Sequence, residues 1–322
     1  MKQSQIYIDG ADAYKQFGIF VTQGSYDSLV SFPSSKSLDS NDWPEEDGQE
    51  FDLSAIVLNS GEVSIELAFV NHLKFANFVT LLSDKGYHDF RFAELDRTYR
   101  LRLASQNGFE VFPGLNVAKF TLVNDFPREA EFVYQAPVGG LPLPGGYEID
   151  DRDFADYGVL VLQGSDAEIR KAPSVKKNLL QDFKRQDGAV YDGEVVTFQT
   201  KEVALKCLMR TPDVKTFWRN RDALLHDLTR QSVKRDSEGY EYRDAERSLY
   251  YDAYSESYPC YYKSCQTNEL KIAGGVWWEF TLTLVFTSFR LYDTDYLLAS
   301  ESGEMITTED GMFYIDIEDY AD

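Results

Sequence analysis

Histidine and cysteine are scarce in this chain of 322 residues, and both shortages restrict the chemistry that it can carry. The three histidines, His72, His88 and His226, do not stand at metal-ligand spacing from one another or from a cysteine. The three cysteines form no CxxC pair, a pattern that favours free thiols over a zinc site or a disulfide framework. We therefore expect no bound metal and no catalytic cysteine or histidine.

Long apolar runs are absent too, and basic residues are in the minority. No run reaches the about 18 apolar residues of a membrane span, and the first ten residues lack the basic-then-apolar layout of a signal peptide. The 32 lysines and arginines stand against 54 acidic residues, which leaves a formal net charge of −22. This charge repels phosphate backbones and anionic lipid surfaces. We expect a protein that folds in a cytoplasm, without membrane insertion or sequence-specific nucleic-acid binding.

Cofactor and carboxylate motifs are equally weak. The glycine pairs Gly139-Gly140 and Gly145-Gly146 are followed neither by a lysine nor by a helix start, so neither forms a phosphate-binding loop. Acid pairs such as Asp150-Asp151 arise by chance among 54 acidic residues. We expect no cofactor and no enzymatic activity.

What the sequence does contain is an internal repeat. Residues 17–25, FGIFVTQGS, return as residues 157–165, YGVLVLQGS, with five of nine positions identical. The same shift of 140 residues superposes Lys36 on Lys176 and Trp43 on Phe183. The residues that define the repeat are Gly18, Gly24, Asp47, Gly48, Gly158, Gly164, Asp187 and Gly188. The gapless register predicts a duplicated domain.

The repeat and the Pro/Gly-rich stretch between its copies predict the domain organisation. A first domain covers residues 1–136, a linker residues 137–146, and a second domain residues 147–290. Residues 291–322 contain no lysine or arginine and form an acidic C-terminal arm. Gly18 and Gly158 are expected at equivalent positions, where φ is positive or a side chain would clash.

Periodicity predicts mostly strands within each copy. Residues 62–69 and 279–286 alternate polar and apolar side chains, which is typical of antiparallel sheets with one buried face. One amphipathic helix is predicted after Asn71 and another after Asp213. The fold class is therefore mainly β (α+β), with two tandem copies of a split β-barrel or sandwich domain, each with one flanking helix. The second copy's extra residues, 230–244, are predicted to form a charged loop.

Two further patterns carry expectations. Hairpin turns are predicted at Asn107-Gly108 and Gly274-Gly275, because these residues supply the positive φ of tight turns. Tyrosines cluster in the second copy, where core packing and a subunit interface are favoured over a carbohydrate site. The cluster comprises Tyr240, Tyr242, Tyr250, Tyr251, Tyr254, Tyr258, Tyr261 and Tyr262.

The order of these features resembles that of a known family. A glycine-marked strand opener at Phe17-Gly18 and Tyr157-Gly158, a proline-containing loop, an Asp-Gly turn, an alternating strand, a helix and a closing hairpin resemble the ring-forming domain of phage distal tail proteins. The wider resemblance is to the tail-tube fold of baseplate hubs. It covers residues 5–126 and 145–289, and it brings no catalytic residues with it.

The resemblance implies a structural protein of a bacteriophage or prophage-derived tail tip or baseplate, found in the virion tail and assembled in the host cytoplasm. Such a protein forms a ring around the DNA channel, joins tail tube to tip and contacts other tail proteins. Two ring domains per chain make either a trimer with a pseudo-sixfold ring or a hexamer. The candidate channel-facing acids are Asp42, Glu45, Glu46, Asp47, Asp182 and Asp187.

Two functions from other classes remain open. The tyrosine cluster would suit a carbohydrate-binding adhesin of the tail or the cell surface. A glycan-acting enzyme comes third, and it would require two carboxylates about 5 to 10 Å apart in a pocket.

Overall fold

Two seven-stranded antiparallel sheets are the largest structural elements of the described chain. The computed structural model describes residues 6–22, 26–84, 86–128, 132–142, 145–177, 180–190, 196–235 and 239–288. Gly24 and the predicted arm, residues 291–322, lie outside the described residues. Residues up to Thr287 belong to one compact unit, within which we call residues 6–128 the first half and residues 145–287 the second half.

The elements follow one another in the same order in both halves, except that the second half adds a two-stranded hairpin after its long helix and a 3-10 turn before its longest strand. The strands of the first half are β1 (Ile6–Ile8), β2 (Ala11–Asp12), β3 (Ile19–Val21), β4 (Ser40–Asn41), β5 (Glu50–Phe51), β6 (Gly61–Phe69), β7 (His88–Phe92), β8 (Arg97–Phe112) and β9 (Leu115–Asn124). Those of the second half are β10 (Tyr147–Ile149), β11 (Arg152–Asp153), β12 (Val159–Val161), β13 (Gln181–Asp182), β14 (Ala189–Val190), β15 (Lys201–Thr211), β16 (Ser232–Arg235), β17 (Glu241–Asp244), β18 (Arg247–Tyr251), β19 (Glu256–Ile272) and β20 (Val276–Phe286). The α-helices are α1 (Ala13–Phe17), α2 (Asp27–Val30), α3 (His72–Asp84), α4 (Ser165–Arg170) and α5 (Val214–Thr229), and 3-10 turns span Phe154–Tyr157 and Asp252–Tyr254.

The predicted fold class is confirmed, because the chain is mainly β with few helices and two large sheets. The strand order is β2-β1-β7-β8-β9-β6-β3 in the first sheet and β11-β10-β18-β19-β20-β15-β12 in the second. Each strand of the first sheet thus has a counterpart at the same place in the second. The two sheets are consistent with two β-sandwich domains.

Main-chain hydrogen bonds outside the sheets repeat with the shift seen in the sequence. Lys36 N donates to Val57 O at 2.7 Å, and Lys176 N donates to Thr197 O at 2.7 Å. The isolated bridge between Ser35 and Leu58 likewise corresponds to the bridge between Val175 and Phe198. A shift of 140 residues therefore relates equivalent backbone contacts as well as similar residues.

Both long helices start where the sequence predicts them. The Asn71 side chain accepts a hydrogen bond from Lys74 N at 3.0 Å, and the Asp213 side chain accepts one from Thr216 N at 2.8 Å. These caps satisfy amides that have no partner inside the helix. Helix α3 buries Phe75, Phe78 and Leu82, and α5 buries Phe217, Leu224 and Leu228. No helix among the described residues is long and apolar enough to cross a membrane.

Three local predictions need correction or refinement. The predicted turn at Asn107-Gly108 is wrong, because β8 continues to Phe112 and the hairpin turns at Gly114, whose φ is +81°. Gly108 instead lies at an irregularity in the pairing of β8 with β9. The predicted turn at Gly274-Gly275 is confirmed, with φ of +66° and +129°. The predicted charged loop contains a two-stranded hairpin, β16–β17, whose Lys234 pairs with acidic side chains.

The predicted linker lies on the second half along its described residues. Val138 exchanges two hydrogen bonds with the Asn220 side chain, both at 2.9 Å, and Leu141 N donates to Ala155 O at 2.8 Å. A side chain at Gly140 would come within 2.6 Å of Ala155 O. Hydrogen bonds therefore hold the described linker against the second half. At Gly140 the main chain of residue 155 is so close that no side chain fits without a shift.

Gly18 and Gly158 have the positive φ that the sequence predicts, at +68° and +72°. Both end a single turn of helix, but only at Gly158 would an added Cβ approach the main chain, 2.8 Å from Arg210 O. We expect Gly18→Ala to lower the free energy of unfolding by about 1 kcal/mol and Gly158→Ala by about 3 kcal/mol. Urea unfolding of the two variants measures this difference, and equal losses would contradict the steric account.

Candidate functional site

The first half contacts the second through residues 27–36, which we call the docking segment. Its Phe32 forms an isolated antiparallel bridge with Cys265 of β19. Ser35 N donates to Lys263 O at 2.8 Å, and the Ser31 hydroxyl lies 2.8 Å from that of Thr267. The docking segment therefore adds main-chain and side-chain bonds along β19 of the other half.

Phe32 forms the apolar centre of this contact and is only 3% exposed. Its ring lies 5.4 Å from that of Trp278 and 6.4 Å from that of Tyr262, both in edge-to-face arrangements. The Tyr262 hydroxyl also donates to Pro33 O at 2.7 Å. Edge-to-face aromatic packing adds to the gain from burial, so this cluster is a main source of attraction between the halves.

Arg221 of α5 supplies the polar part of the same contact. Its Nε donates to Val30 O at 2.8 Å and its Nη2 to Ser31 O at 2.7 Å. The buried guanidinium also lies over the Phe32 ring at 4.6 Å and pairs with Asp222 at 2.7 Å. Arg221 therefore satisfies carbonyl groups at the end of α2 that would otherwise lack these donors.

The sequence patterns did not identify Arg221 as a contact residue, although its position in α5 gives an indication of that role. The apolar stripe of α5 runs from Phe217 to Leu224, and Asn220 and Arg221 interrupt it at positions that face the core. Polar residues at such positions are buried only when they have specific partners. The interruption could therefore have indicated a contact with another part of the protein.

A second contact joins the β4–β5 hairpin to the second half. Lys176 Nζ lies 2.6 Å from Asp42 Oδ1 and donates to Trp43 O at 2.8 Å. Asp47 Oδ1 accepts a hydrogen bond from Phe198 N at 2.8 Å. The hydrogen bond from Lys176 holds the pKa of the Asp42 carboxyl below its usual value. The hairpin is thus anchored on the second half by two carboxylates.

We expect Asp42→Asn to lower the free energy of unfolding by about 1 kcal/mol at pH 7, since the pair is only partly shielded from water. The folded-state pKa of Asp42 lies below its unfolded value. The stabilisation is therefore present above about pH 4 and disappears as the pH falls through the folded pKa. Urea unfolding at pH 7 and at pH 3 measures this change. A matched Glu46→Gln variant should leave stability unchanged, and a loss for Asp42→Asn that persists at pH 3 would contradict the ionic origin.

The six acids predicted to face a channel fall into two groups. Asp42 and Asp47 bond to the second half of their own chain. The other four, Glu45, Glu46, Asp182 and Asp187, are exposed, as is the side chain of Asp42. That these acids line a channel stays a prediction.

The predicted tyrosine cluster does not form one surface. Tyr258, Tyr261 and Tyr262 are buried in the second half, as expected for the core packing that the sequence favours. Tyr250, Tyr251 and Tyr254 are partly exposed, and Tyr240 and Tyr242 are 69% and 46% exposed. Of the eight tyrosines, only Tyr240 and Tyr242 are among the exposed residues, and they lie at the start of β17.

The repeat-defining residues occupy turns and helix starts. Gly48 and Gly188 follow Asp47 and Asp187 at φ of +66° and +79°, in the β4–β5 and β13–β14 hairpins. Gly164 has φ of +94° and precedes α4. These positive values explain why glycine stands at these positions.

Side chains of the metal-ligating and nucleophilic types lie scattered through the described residues. No group of three His, Cys, Asp or Glu side chains there could hold a metal ion. His88 is buried with Nδ1 2.7 Å from Asp9 Oδ2, and the equivalent place in the second half has Arg247 Nη1 2.5 Å from Asp150 Oδ2. Two different nitrogen-bearing side chains that contact equivalent aspartates indicate a structural role. Burial raises the pKa of all three cysteines, which are free thiols.

A cleft of about 660 Å³ opens beside the docking segment. Four arginines line it, Arg97, Arg100, Arg128 and Arg221, and Glu62 is its one acidic lining residue in the described part of the chain. Glycoside hydrolysis commonly uses a pair of carboxylates that flank the scissile bond. The described lining of this cleft does not provide that pair.

Comparisons with known proteins give only weak similarities. No protein-family model matches the sequence, and no curated protein matches it. The crystal structure of SPP1 Dit (gp 19.1), described as a paradigm of the hub adsorption apparatus in phages that infect Gram-positive bacteria, has a TM-score of 0.29 and 12% identity over 88% of this chain and 97% of that chain. The Borreliella burgdorferi PlzA protein, solved with c-di-GMP, has a TM-score of 0.17 and 7% identity over 85% of this chain and 89% of that chain. The chain thus has a weak fold-level similarity to a phage hub protein, and scores this low carry no argument about function.

Proposed function

We propose that this chain is a structural component of a bacteriophage or prophage-derived tail tip or baseplate, which forms a ring around the DNA channel. The observation that carries the proposal is the contact between two halves of identical strand order. The docking segment of the first half lies on β19 and α5 of the second, so the halves meet through different faces. Contacts of this heterologous type between like units build a ring when the rotation closes.

The repeated hydrogen bonds support an origin of the two halves by duplication. The bond from Thr22 N to Glu66 O at 3.0 Å corresponds to that from Leu162 N to Lys206 O at 2.7 Å. With two ring units in each chain, three chains make a pseudo-sixfold ring and six chains make a larger or layered one. We favour self-association of one of these kinds, together with contacts to other tail proteins.

The charge of the chain supports a role beside DNA without binding to it. A net charge of −22 makes the protein surface repel a phosphate backbone, so duplex DNA would slide through a channel without adhering. The proposal places the protein in the virion tail after assembly in the host cytoplasm. A joint between tail tube and tip catalyses no reaction, and we propose no enzymatic activity.

The test is the mass of the purified chain, measured by light scattering across protein concentration and salt. We expect discrete oligomers of three or six chains, with assembly favoured by salt because like-charged subunits must approach one another. The concentration at half assembly should fall by about threefold or more between 0.01 M and 0.3 M salt, as the Debye length shrinks from about 30 Å to below 10 Å. A monomer at every concentration and salt would contradict a self-assembling ring.

A glycan-binding adhesin is the second candidate, and one observation favours it. Tyr240 and Tyr242 are exposed at the β16–β17 hairpin, and exposed aromatic rings stack on sugars. Binding of the purified chain to bacterial cell-wall glycans, lost in a Tyr240→Ala/Tyr242→Ala variant, would support it. Tyr14→Ala removes a similarly exposed ring in the first half and serves as the control.

A further inference from the structure

We infer that the second half of one chain docks on the first half of another copy through surfaces equivalent to those that join the halves within a chain. This inference rests on the proposed ring function and specifies its interface. Residues 167–176 of one copy would take the place of the docking segment. Strand β8 of the next copy would take the place of β19. Residues 36–57 of that copy would take the place of the surface on which the β4–β5 hairpin lies within a chain.

Strand pairing identifies the equivalent residues on the receiving side. Ile65 pairs with Phe120, which pairs with Gln106. In the second sheet, Leu205 pairs with Leu282, which pairs with Cys265. Because Ile65 and Leu205 are related by the shift of 140 residues, Gln106 stands where Cys265 stands.

The donating side follows from the same shift. Phe32 bridges Cys265 within the chain, and 140 residues later Ala172 follows α4 as Phe32 follows α2. Phe32 and Cys265 are buried by their contact, whereas Ala172 and Gln106 are exposed. The bridge expected between copies therefore joins Ala172 of one to Gln106 of the next.

A charged pair within the chain identifies a second contact that is expected between copies. Asp42 pairs with Lys176 within the chain, and their equivalents in the other half are Asp182 and Lys36. Both equivalents are exposed, and neither has an ion-pair partner among the described residues. Thr197, which lies under the β4–β5 hairpin, is 4% exposed, whereas its equivalent Val57 is 51% exposed. The surface of the first half around Lys36 and Val57 is therefore exposed, whereas the β4–β5 hairpin covers the equivalent surface of the second half.

The chemistry of the two free surfaces suits a second copy of this chain. Arg170 and Lys171 are exposed basic residues on the donating segment of a strongly acidic protein. The receiving strand has exposed Phe109 and Val111, and Val111 is 71% exposed. Two cations on the donating segment are complementary in charge to a second copy of a protein whose net charge is −22. The exposed apolar residues would lose their contact with water in the complex.

Two cysteine variants that are mixed in solution test the contact directly. Bridge partners have Cβ atoms about 5 Å apart, which is close to the geometry of a disulfide. We expect Ala172→Cys and Gln106→Cys chains, mixed under mild oxidation, to form disulfide-linked dimers at least tenfold above either variant alone. The three native thiols are buried and leave a low background. Thr98→Cys replaces Gln106→Cys in the control, since Thr98 is exposed on the same strand about 26 Å away.

Charge reversal provides an independent readout. Asp182→Lys and Lys36→Glu should each raise the concentration at half assembly about tenfold, and the double variant should recover to within about threefold of the native value. Both changes are at exposed positions, and circular dichroism checks the fold of the three variants. Specific crosslinking with recovery in the double variant supports the inference.

The negative outcomes separate the interface from the function. If light scattering shows rings but crosslinking stays at the Thr98→Cys level, the inferred surface is wrong while the ring proposal stands. If crosslinking stays at that level and the chain is monomeric in all conditions, both are overturned. Crosslinking without recovery in the double variant overturns the pairing of Asp182 with Lys36.

Discussion

Replacing Phe32 by alanine is expected to lower the free energy of unfolding by about 4 kcal/mol. The ring is buried between the halves against Trp278 and Tyr262, and its removal leaves a cavity that these neighbours cannot fill. Large-to-small changes at such positions lose both the transfer energy of the ring and the contacts around the cavity. Urea unfolding monitored by circular dichroism measures the change.

The matched control is Phe183→Ala, which removes the same side chain from an exposed hairpin position. It should change the free energy of unfolding by less than about 1 kcal/mol. A loss of less than about 1 kcal/mol for Phe32→Ala would contradict the role of Phe32 in holding the halves together.

Replacing Arg221 by methionine is expected to cost about 3 kcal/mol. Methionine keeps much of the apolar stem but removes both donors to the carbonyls of Val30 and Ser31. Buried acceptors that lose a charged donor bear the full cost of desolvation. The change also removes a cation from the face of the Phe32 ring and one of the two arginines that pair with Asp222, the other being Arg97.

Lys215→Met, an exposed cation-to-methionine change on the same helix, should alter stability by about 0.5 kcal/mol or less. Thermal and urea unfolding of both variants give the comparison. Equal effects at the two positions would show that the bonds of Arg221 to the docking segment contribute nothing.

The sequence predicted the sheets and the start of both long helices, because these depend on local patterns. Alternation in residues 62–69 follows from one buried face of β6, and Asn71 caps α3 through its own side chain. The turn prediction at Asn107-Gly108 failed for an instructive reason. The dipeptide permits positive φ, but pairing with β9 continues past it to Phe112 and uses the glycine at an irregularity.

The site depends on contacts between distant parts of the chain, which local patterns do not contain. Asp42 and Lys176 are 134 residues apart in sequence, and nothing near either residue indicates the other. A run of acids such as residues 45–47 is typical of a solvated loop, yet Asp47 accepts a main-chain bond from Phe198. The tyrosine cluster likewise divides by element, because its three members on β19, Tyr258, Tyr261 and Tyr262, are buried, whereas Tyr240 and Tyr242 are exposed at the start of β17.

The proposed ring is tested most directly by electron microscopy of the purified full chain at a salt concentration that favours assembly. The account predicts closed particles of uniform size with a central opening and a threefold or sixfold repeat. Open filaments, closed particles without a channel, or isolated single chains in every field would contradict it.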